Sequence, residues 1–161
     1  VSRAVRAINR MGWKTIVISN QPGVAMRHFT RKTLSQISRK MILSLGRSGA
    51  RLDGIYYCLH HPVRGIGALK RKCGCRKPKP GLLIQAAREH GIDLKRSYFV
   101  GDSIIDVEAG RRAGCRTVLL GHLRCDLCAL MARRGVKPHD WAEDLWAAVQ
   151  KIQKLEKTGK R

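Results

Sequence analysis

The sequence predicts an α/β fold: a Rossmann-like, doubly wound parallel sheet with one metal-held loop. Three observations predict it. Short apolar runs rich in β-branched residues alternate with amphipathic stretches at helical spacing. Two of those runs end in polar groups, at Ser19-Asn20-Gln21 and at Asp102, which is where open parallel sheets bind ligands. Cysteine and histidine pairs bracket the irregular stretch between the second strand and the next helix.

In chain order, Val1, Ala4, Val5, Ile8 and Met11 fall at helical spacing, with Gly12 as the stop. Lys14 to Ser19 (KTIVIS) reads as a strand. Thr30 is placed to cap a helix carrying Leu34, Ile37, Met41, Ile42 and Leu45, closed near Gly46. Asp53 to Cys58 is a second strand, and Leu59 to Lys79 is irregular and rich in glycine and basic residues. A helix starts at Pro80, runs through His90 and stops at Gly91. Ser97 to Gly101 is a third strand, a helix spans about Ile104 to Ala113 before Gly114, and Cys115 to Leu120 (CRTVLL) is a fourth strand. Asp144 to Leu155 closes the chain as an amphipathic helix with Leu145, Ala148, Val149 and Ile152 on one face. His122 to Asp140 carries no clear periodicity beyond an apparent helix at Cys125-x2-Cys128, whose cysteines read as packing residues, as does Cys115. The opening helix leads straight into a strand, as the second half of a strand–helix–strand crossover does. The expectation is therefore that the first strand of the sheet is missing from these 161 residues.

A chain of 161 residues with 43% hydrophobic content suits one globular domain over 1–161, with the loop 58–75 inside it. No apolar run approaches a membrane span and no signal-peptide pattern opens the chain, so no membrane contact and a cytoplasmic location are expected. Clustered with His60 in such a chain, six cysteines point to reduced thiols and metal rather than disulfides. The net charge of +22 is extreme. It fits either a nucleic-acid binder or a solvated basic surface. The basic residues are scattered along almost every helix, and the 5% aromatic content is not interleaved with them, which favours the solvated surface. No specific nucleic-acid partner is expected, only weak anion affinity, and a monomer is the expected state.

Cys58, His60, Cys73 and Cys75 match a closed, tetrahedral Cys3His zinc site of structural type, although their spacings are tighter than the commoner Cys-x2-Cys. Some twenty irregular residues in a compact domain need such a staple. His61 is the second choice for the histidine ligand. Ser19, Asn20 and Gln21 offer a hydroxyl and two amides to phosphate oxygens; ordinary turn chemistry is the alternative. Arg76 and Lys77 offer fixed positive charge to a phosphoryl group, though a basic pair is common in so basic a chain. Asp102 suits Mg2+, which prefers carboxylate and phosphate oxygens, with helix N-capping as the alternative. Asp106, one turn on, would bind directly or orient the metal's ligands.

Ile18-Ser19-Asn20-Gln21-Pro22-Gly23-Val24-Ala25, Tyr56-Tyr57-Cys58-Leu59-His60-His61-Pro62, Cys73-Gly74-Cys75-Arg76-Lys77-Pro78-Lys79-Pro80-Gly81 and Val100-Gly101-Asp102 through Asp106 occur in this order. Together they resemble the haloacid dehalogenase superfamily, and within it the D-glycero-D-manno-heptose 1,7-bisphosphate phosphatases and related histidinol-phosphatases. The resemblance covers nearly the whole chain. It implies a haloacid dehalogenase-like fold and a Mg2+-dependent phosphomonoesterase working through an aspartyl-phosphate on a phosphorylated sugar. Ser19 and Asn20 would bind the transferring phosphoryl, Lys77 would stabilise nucleophile and phosphate charge, and Arg76 would contact substrate. Asp102 would ligate Mg2+, and Cys58, His60, Cys73 and Cys75 would bind zinc. The family's Asp-x-Asp-Gly stretch, which holds nucleophile and general acid/base, is absent from the 161 residues, so this chain is expected to be inactive as written. Ser103 also departs from the basic residue usual after the metal-binding Asp.

Overall fold

Helix α1 (Ser2–Arg10) turns Ala4 and Val5 inward and ends before Gly12, whose φ of +73° glycine adopts without strain. Val1, expected on the same apolar face, precedes the helix and is 81% exposed. Strand β1 (Ile16–Asn20) starts two residues later than the periodicity predicts. Thr15 is held instead by reciprocal bonds with Asp53: its N–H donates to the Asp53 carboxylate at 2.7 Å, and the Asp53 N–H donates to its carbonyl at 2.8 Å. Thr30 caps helix α2 (Arg31–Arg47), its side chain accepting from the Thr33 N–H at 3.1 Å. Leu34 and Leu45 of α2 are buried, whereas Ile37 and Ile42 are about half exposed and lie outside the core. Val5, Leu45 and Ala50, with Met41 and Leu52 against them, join α1 to α2. Strand β2 (Gly54–Cys58) pairs with β1 in parallel, Ile16 opposite Gly54 and Asn20 opposite Cys58. The ends of β1 and β2 therefore lie side by side.

These elements make one compact unit, Ser2–Lys77; a second begins at Pro78. The computed structural model describes residues 1–121 and 125–159, with the backbone alone over 125–127. Lys160 and Arg161 lie outside the described residues, as does the side chain of Cys125.

In the second unit, Pro80 takes the N-cap position of helix α3 (Gly81–His90), which ends at Gly91 in the left-handed region. Strands β3 (Tyr98–Gly101), β4 (Arg116–Leu120) and β5 (Asp140–Ala142) form a parallel sheet in the order β3-β4-β5. Helix α4 (Ile104–Ala113) crosses from β3 to β4 and stops at Gly114, φ +84°. Thr117, Val118 and Leu119 are consecutive and buried, so both faces of β4 are covered. One covering cluster joins Ile104 and Val107 of α4 to Leu119, with Leu130, Met131 and Trp141 against it. Leu130 and Met131 come from helix α5 (Cys125–Arg134), but Cys128, expected to pack, is exposed. Helix α6 (Leu145–Lys157) is capped by Asp144 and buries Ala148, Val149 and Ile152. Strand β5 is a finding the sequence did not predict: three residues are too few for a period of two to show. Among the described residues no helix is long and apolar enough to cross a membrane.

Gly110 is where α4 meets the sheet. A Cβ there would lie 2.6 Å from Thr117 Cγ2 and 3.0 Å from Phe99 Cβ. Gly110→Val is expected to cost about 3 kcal/mol by overpacking, read as a lower urea midpoint. A second prediction concerns His139, whose Nδ1 accepts from the Thr117 N–H at 3.0 Å. Burial, then Arg111 and Arg116, hold its pKa below the ordinary range. This contribution to stability is complete above pH ~6.5 and is lost as pH falls from there through the folded-state pKa. The urea midpoint is expected to fall on acidification across that window, and to fall less in His139→Asn, whose amide oxygen accepts without titrating.

Candidate functional site

Strand β2 ends on Cys58, which is fully buried and delivers its thiol to the end of the first sheet. His60 follows two residues on, and the chain returns after the short turn Gly67–Leu69 to bring in Cys73 and Cys75. One donor atom from each of the four lies within 4.8 Å of every other. Sulfur separations are 3.2 Å (Cys75–Cys58), 3.3 Å (Cys75–Cys73) and 3.6 Å (Cys58–Cys73), and His60 Nδ1 lies 3.3 Å from Cys75 Sγ. Zinc–sulfur bonds of ~2.3 Å place tetrahedral ligands ~3.8 Å apart. The cluster is a slightly contracted tetrahedron, and its free thiols fit a zinc ion. Burial, then hydrogen bonds with Cys58 and Cys73, pushes the Cys75 thiol up to about 12. Cys58 is also raised, by burial first. Cys73 is lowered: burial opposes ionisation, but donors from Cys75, Cys58 and the Arg76 backbone outweigh it. A soft cation bound here would take the place of the thiol protons.

His61 does a different task. Its Nδ1 accepts from the backbone N–H groups of Val63 at 3.2 Å and Arg64 at 2.8 Å, and its own N–H donates to Leu69 at 3.1 Å. The turn is too tight for any residue but glycine at 65, where a Cβ would lie 2.6 Å from the His61 carbonyl oxygen. Of the two adjacent histidines, the structure turns His60 to the thiols.

The end of β1 lies beside this cluster. The Gln21 N–H donates to the Cys58 carbonyl at 2.8 Å, and the Gln21 amide donates to Ser19 Oγ at 3.1 Å. Asn20 clasps Lys77: its Nδ2 donates to the Lys77 carbonyl at 3.1 Å, and its Oδ1 accepts from the Lys77 N–H at 3.0 Å. Lys77 Nζ in turn donates to the Ile18 carbonyl at 3.1 Å. Arg76 Nη1 donates to the His60 carbonyl at 3.2 Å. The first unit thus gathers Ser19, Asn20, Gln21, Arg76 and Lys77 around one strand end. A hydroxyl, two amides and two cations there are the chemistry of an oxyanion site.

Asp102 and Asp106 belong to the second unit. Asp102 follows β3 and is exposed. It does not cap α4: Ser103 is the N-cap, and Asp106 completes a capping box. Asp106 is 5% exposed, and its Oδ2 accepts from the Ser103 N–H at 3.1 Å and Oγ at 2.9 Å. That Oδ2 is engaged in orienting the turn that carries Asp102. A Cβ on Gly101 would strike Asp106 at 2.4 Å, so the turn needs glycine. Sequence reasoning missed Arg112, which donates to the Pro78 carbonyl at 2.7 Å and pairs with Glu108 at 3.1 Å. Buried Glu108 also pairs with Arg134 at 2.8 Å. The i,i+4 spacing of Glu108 and Arg112 is a readable signal, but their tie to Pro78 is not.

Comparison with known proteins places the chain in a class. The HAD-hydrolase-like family model matches residues 74–148. The D-glycero-beta-D-manno-heptose-1,7-bisphosphate 7-phosphatase of Salmonella typhi is 36% identical over 155 residues, 94% of this chain and 80% of that one. Its counterpart in Yersinia pestis is 40% identical over 117 residues, 73% of this chain and 62% of that protein. The crystal structure of D,D-heptose 1.7-bisphosphate phosphatase from B. bronchiseptica, complexed with magnesium and phosphate, superposes with a TM-score of 0.79 at 30% identity, covering 95% of this chain and 81% of that one. The chain belongs to the haloacid dehalogenase-like phosphatases, in the group of the heptose bisphosphate phosphatases. It spans less than two thirds of the length of several of these relatives, 62% to 64% for those of Yersinia pestis, Vibrio cholerae and Pasteurella multocida.

If the cluster holds zinc, His60→Ala is expected to lower zinc affinity at least tenfold while His61→Ala leaves the stoichiometry at one. Metal analysis with a competing chelator reads both outcomes; equal loss in the two variants, or less than one equivalent in the unsubstituted chain, contradicts the assignment.

Proposed function

We propose that this chain carries the phosphate- and metal-binding parts of a cytoplasmic phosphatase that removes the 7-phosphate of D-glycero-D-manno-heptose 1,7-bisphosphate. The observation that carries the reading is the Asn20–Lys77 clasp beside the Cys3His cluster. It holds a lysine ammonium and strand-end amides together, and the same groups have the roles implied by the resemblance.

In this reading Ser19 and Asn20 donate to the transferring phosphoryl oxygens. Lys77, its Nζ anchored at the Ile18 carbonyl, offsets charge on nucleophile and phosphate. Arg76, tied to His60, contacts the substrate. Asp102 is the carboxylate that would hold Mg2+, and its exposure at the end of β3 fits a hard cation that keeps several waters. Mg2+ would supply electrostatic neutralisation and orientation of the phosphoryl group. Asp106, fixed by Ser103, positions the Asp102 turn. Zinc in the Cys58-His60-Cys73-Cys75 cluster is structural, since four protein donors leave no open position.

Covalent catalysis by a carboxylate also needs the Asp-x-Asp pair, and no Asp-x-Asp occurs among the 161 residues. Alone, the chain is expected to show no enzyme-like turnover of the heptose bisphosphate in a phosphate-release assay. Adding an N-terminal strand bearing Asp-x-Asp-Gly is expected to confer it, and Asp102→Asn in that protein to remove at least 100-fold of kcat/KM. Turnover by the unextended chain would contradict the mechanism. Preference for histidinol phosphate in the extended protein would transfer the assignment to that substrate.

A further inference from the structure

The division of the chain into two units exposes a charge asymmetry that the overall count conceals. Residues 2–77 hold 17 Lys and Arg but one acidic residue, Asp53, whereas residues 78–161 hold 16 against 10. Even that one carboxylate is shared with Arg51 at 3.2 Å. The first unit therefore carries +16 of the +22. Substrate binding does not account for it. A sugar bisphosphate carries roughly −3 to −4, and Arg76 and Lys77 already face it in the reading above. The remaining 15 cations of the unit are exposed.

We infer that the unit Ser2–Lys77 presents a second binding surface, for the phosphate backbone of a double-stranded nucleic acid, through the outer sides of α1 and α2. On α1, Arg3, Arg6 and Arg10 are exposed opposite the buried Ala4 and Val5. At ~100° per residue they lie within about 60° of one another, in a line that climbs ~5–6 Å between neighbours. The Arg6 side chain reaches Gly49, 3.7 Å from where a Cβ would stand, so this line adjoins the end of α2. On α2 five exposed cations, among them Arg39, Lys40 and Arg47, stand with no acidic residue in the helix. Eleven of the 17 cations are arginine, whose fork matches phosphate oxygens.

The form of the surface selects the polyanion. None of the four aromatic residues between 2 and 77 (Trp13, Phe29, Tyr56 and Tyr57) is exposed, so there is no platform for stacking single-stranded bases. A bilayer surface would want an apolar stripe on the same side as the cations. Ile37, Ile42 and Leu43 are exposed on α2, but at ~100° per residue they sit 100–140° apart around the helix and form no stripe. The apolar face of α2 is turned into the core through Leu34 and Leu45. A rigid line of phosphates remains the partner with matching chemistry.

The test uses the full chain and a fluorescein-labelled random-sequence 20-base-pair duplex, read by anisotropy from about 50 to 300 mM salt. Micromolar or tighter affinity at the lowest salt is expected, with a log–log salt slope of about −4 or steeper. Arg6→Gln/Arg10→Gln, and separately Arg39→Gln/Arg47→Gln, are expected to flatten the slope by about 1–2 each. Circular dichroism checks that each variant folds, and either pair alone suffices. Binding weaker than about 100 μM, a slope flatter than about −2, or unchanged slopes in both folded variants would overturn the proposal. So would affinity for phosphatidylglycerol vesicles equal to that for duplex at matched phosphate. None of these readouts uses turnover, so they stand or fall separately from the phosphatase reading.

Discussion

The convergence of four soft donors in a segment with almost no regular structure is the constraint on which the candidate site depends. Between Cys58 and Gly81 the only regular element is the turn Gly67–Leu69, and of residues 59–79 only Gly65 is buried. Ordering such a segment costs backbone entropy at every residue, and buried apolar surface is not available to offset it. The hydrogen bonds around His61 fix one turn, and the Ile66 N–H bond to the Ala25 carbonyl fixes another point. Each contributes only about 1 kcal/mol. A structural zinc, worth ~10–16 kcal/mol in small metal-folded peptides, is the contribution of the right size.

From that cluster, geometry is transmitted by backbone rather than by flexible side chains. Cys58 is the last residue of β2, and its carbonyl accepts from Gln21, so the first residue after β1 is placed by a bond to a candidate metal ligand. On the other side, Cys75 is followed directly by Arg76 and Lys77. The Lys77 backbone is clasped by Asn20, and its ammonium is held at Ile18. The parallel register that sets Asn20 opposite Cys58 makes both connections possible at once. Residues that orient a metal's ligands usually matter nearly as much as the ligands. Here the same residues are those with phosphate-binding chemistry.

Much of this was legible before the coordinates. The cap at Thr30 and the stops at Gly91 and Gly114 follow from side-chain chemistry and left-handed backbone, both local properties. The Cys58-His60-Cys73-Cys75 set was also readable, because few residue types bind soft metals and here they occur in pairs. What could not be read depends on neighbours distant in sequence. The sequence ranks His60 above His61, but that the Val63 and Arg64 amides occupy His61 Nδ1 is a matter of the fold. Asp102 and Ser103 are both competent N-caps; capping falls to Ser103 because the Asp106 carboxylate turns back on it. Cys128 sits on the exposed side of α5, and β5 is defined by its partner Val118 to Leu120 rather than by its own pattern. The concentration of charge in residues 2–77 was present in the sequence all along. It became visible only when the unit boundary at Lys77 divided the chain.

That charge and the thiol cluster are linked by electrostatics. A unit of +16 repels itself, which works against a compact state. Metal ligation by Cys3His requires three thiolates and a neutral imidazole, and a positive field favours all of these forms. At His60 burial comes first, with Arg71 and Arg31 adding to it, in lowering the pKa and favouring the ring form that donates a lone pair. Three thiolates around a divalent cation would leave the cluster near −1, a partly buried counter-charge within a unit that otherwise has one carboxylate. The cluster would return a small part of the neutralisation the surface lacks. A polyanion on the outside of α1 and α2 would supply far more of it.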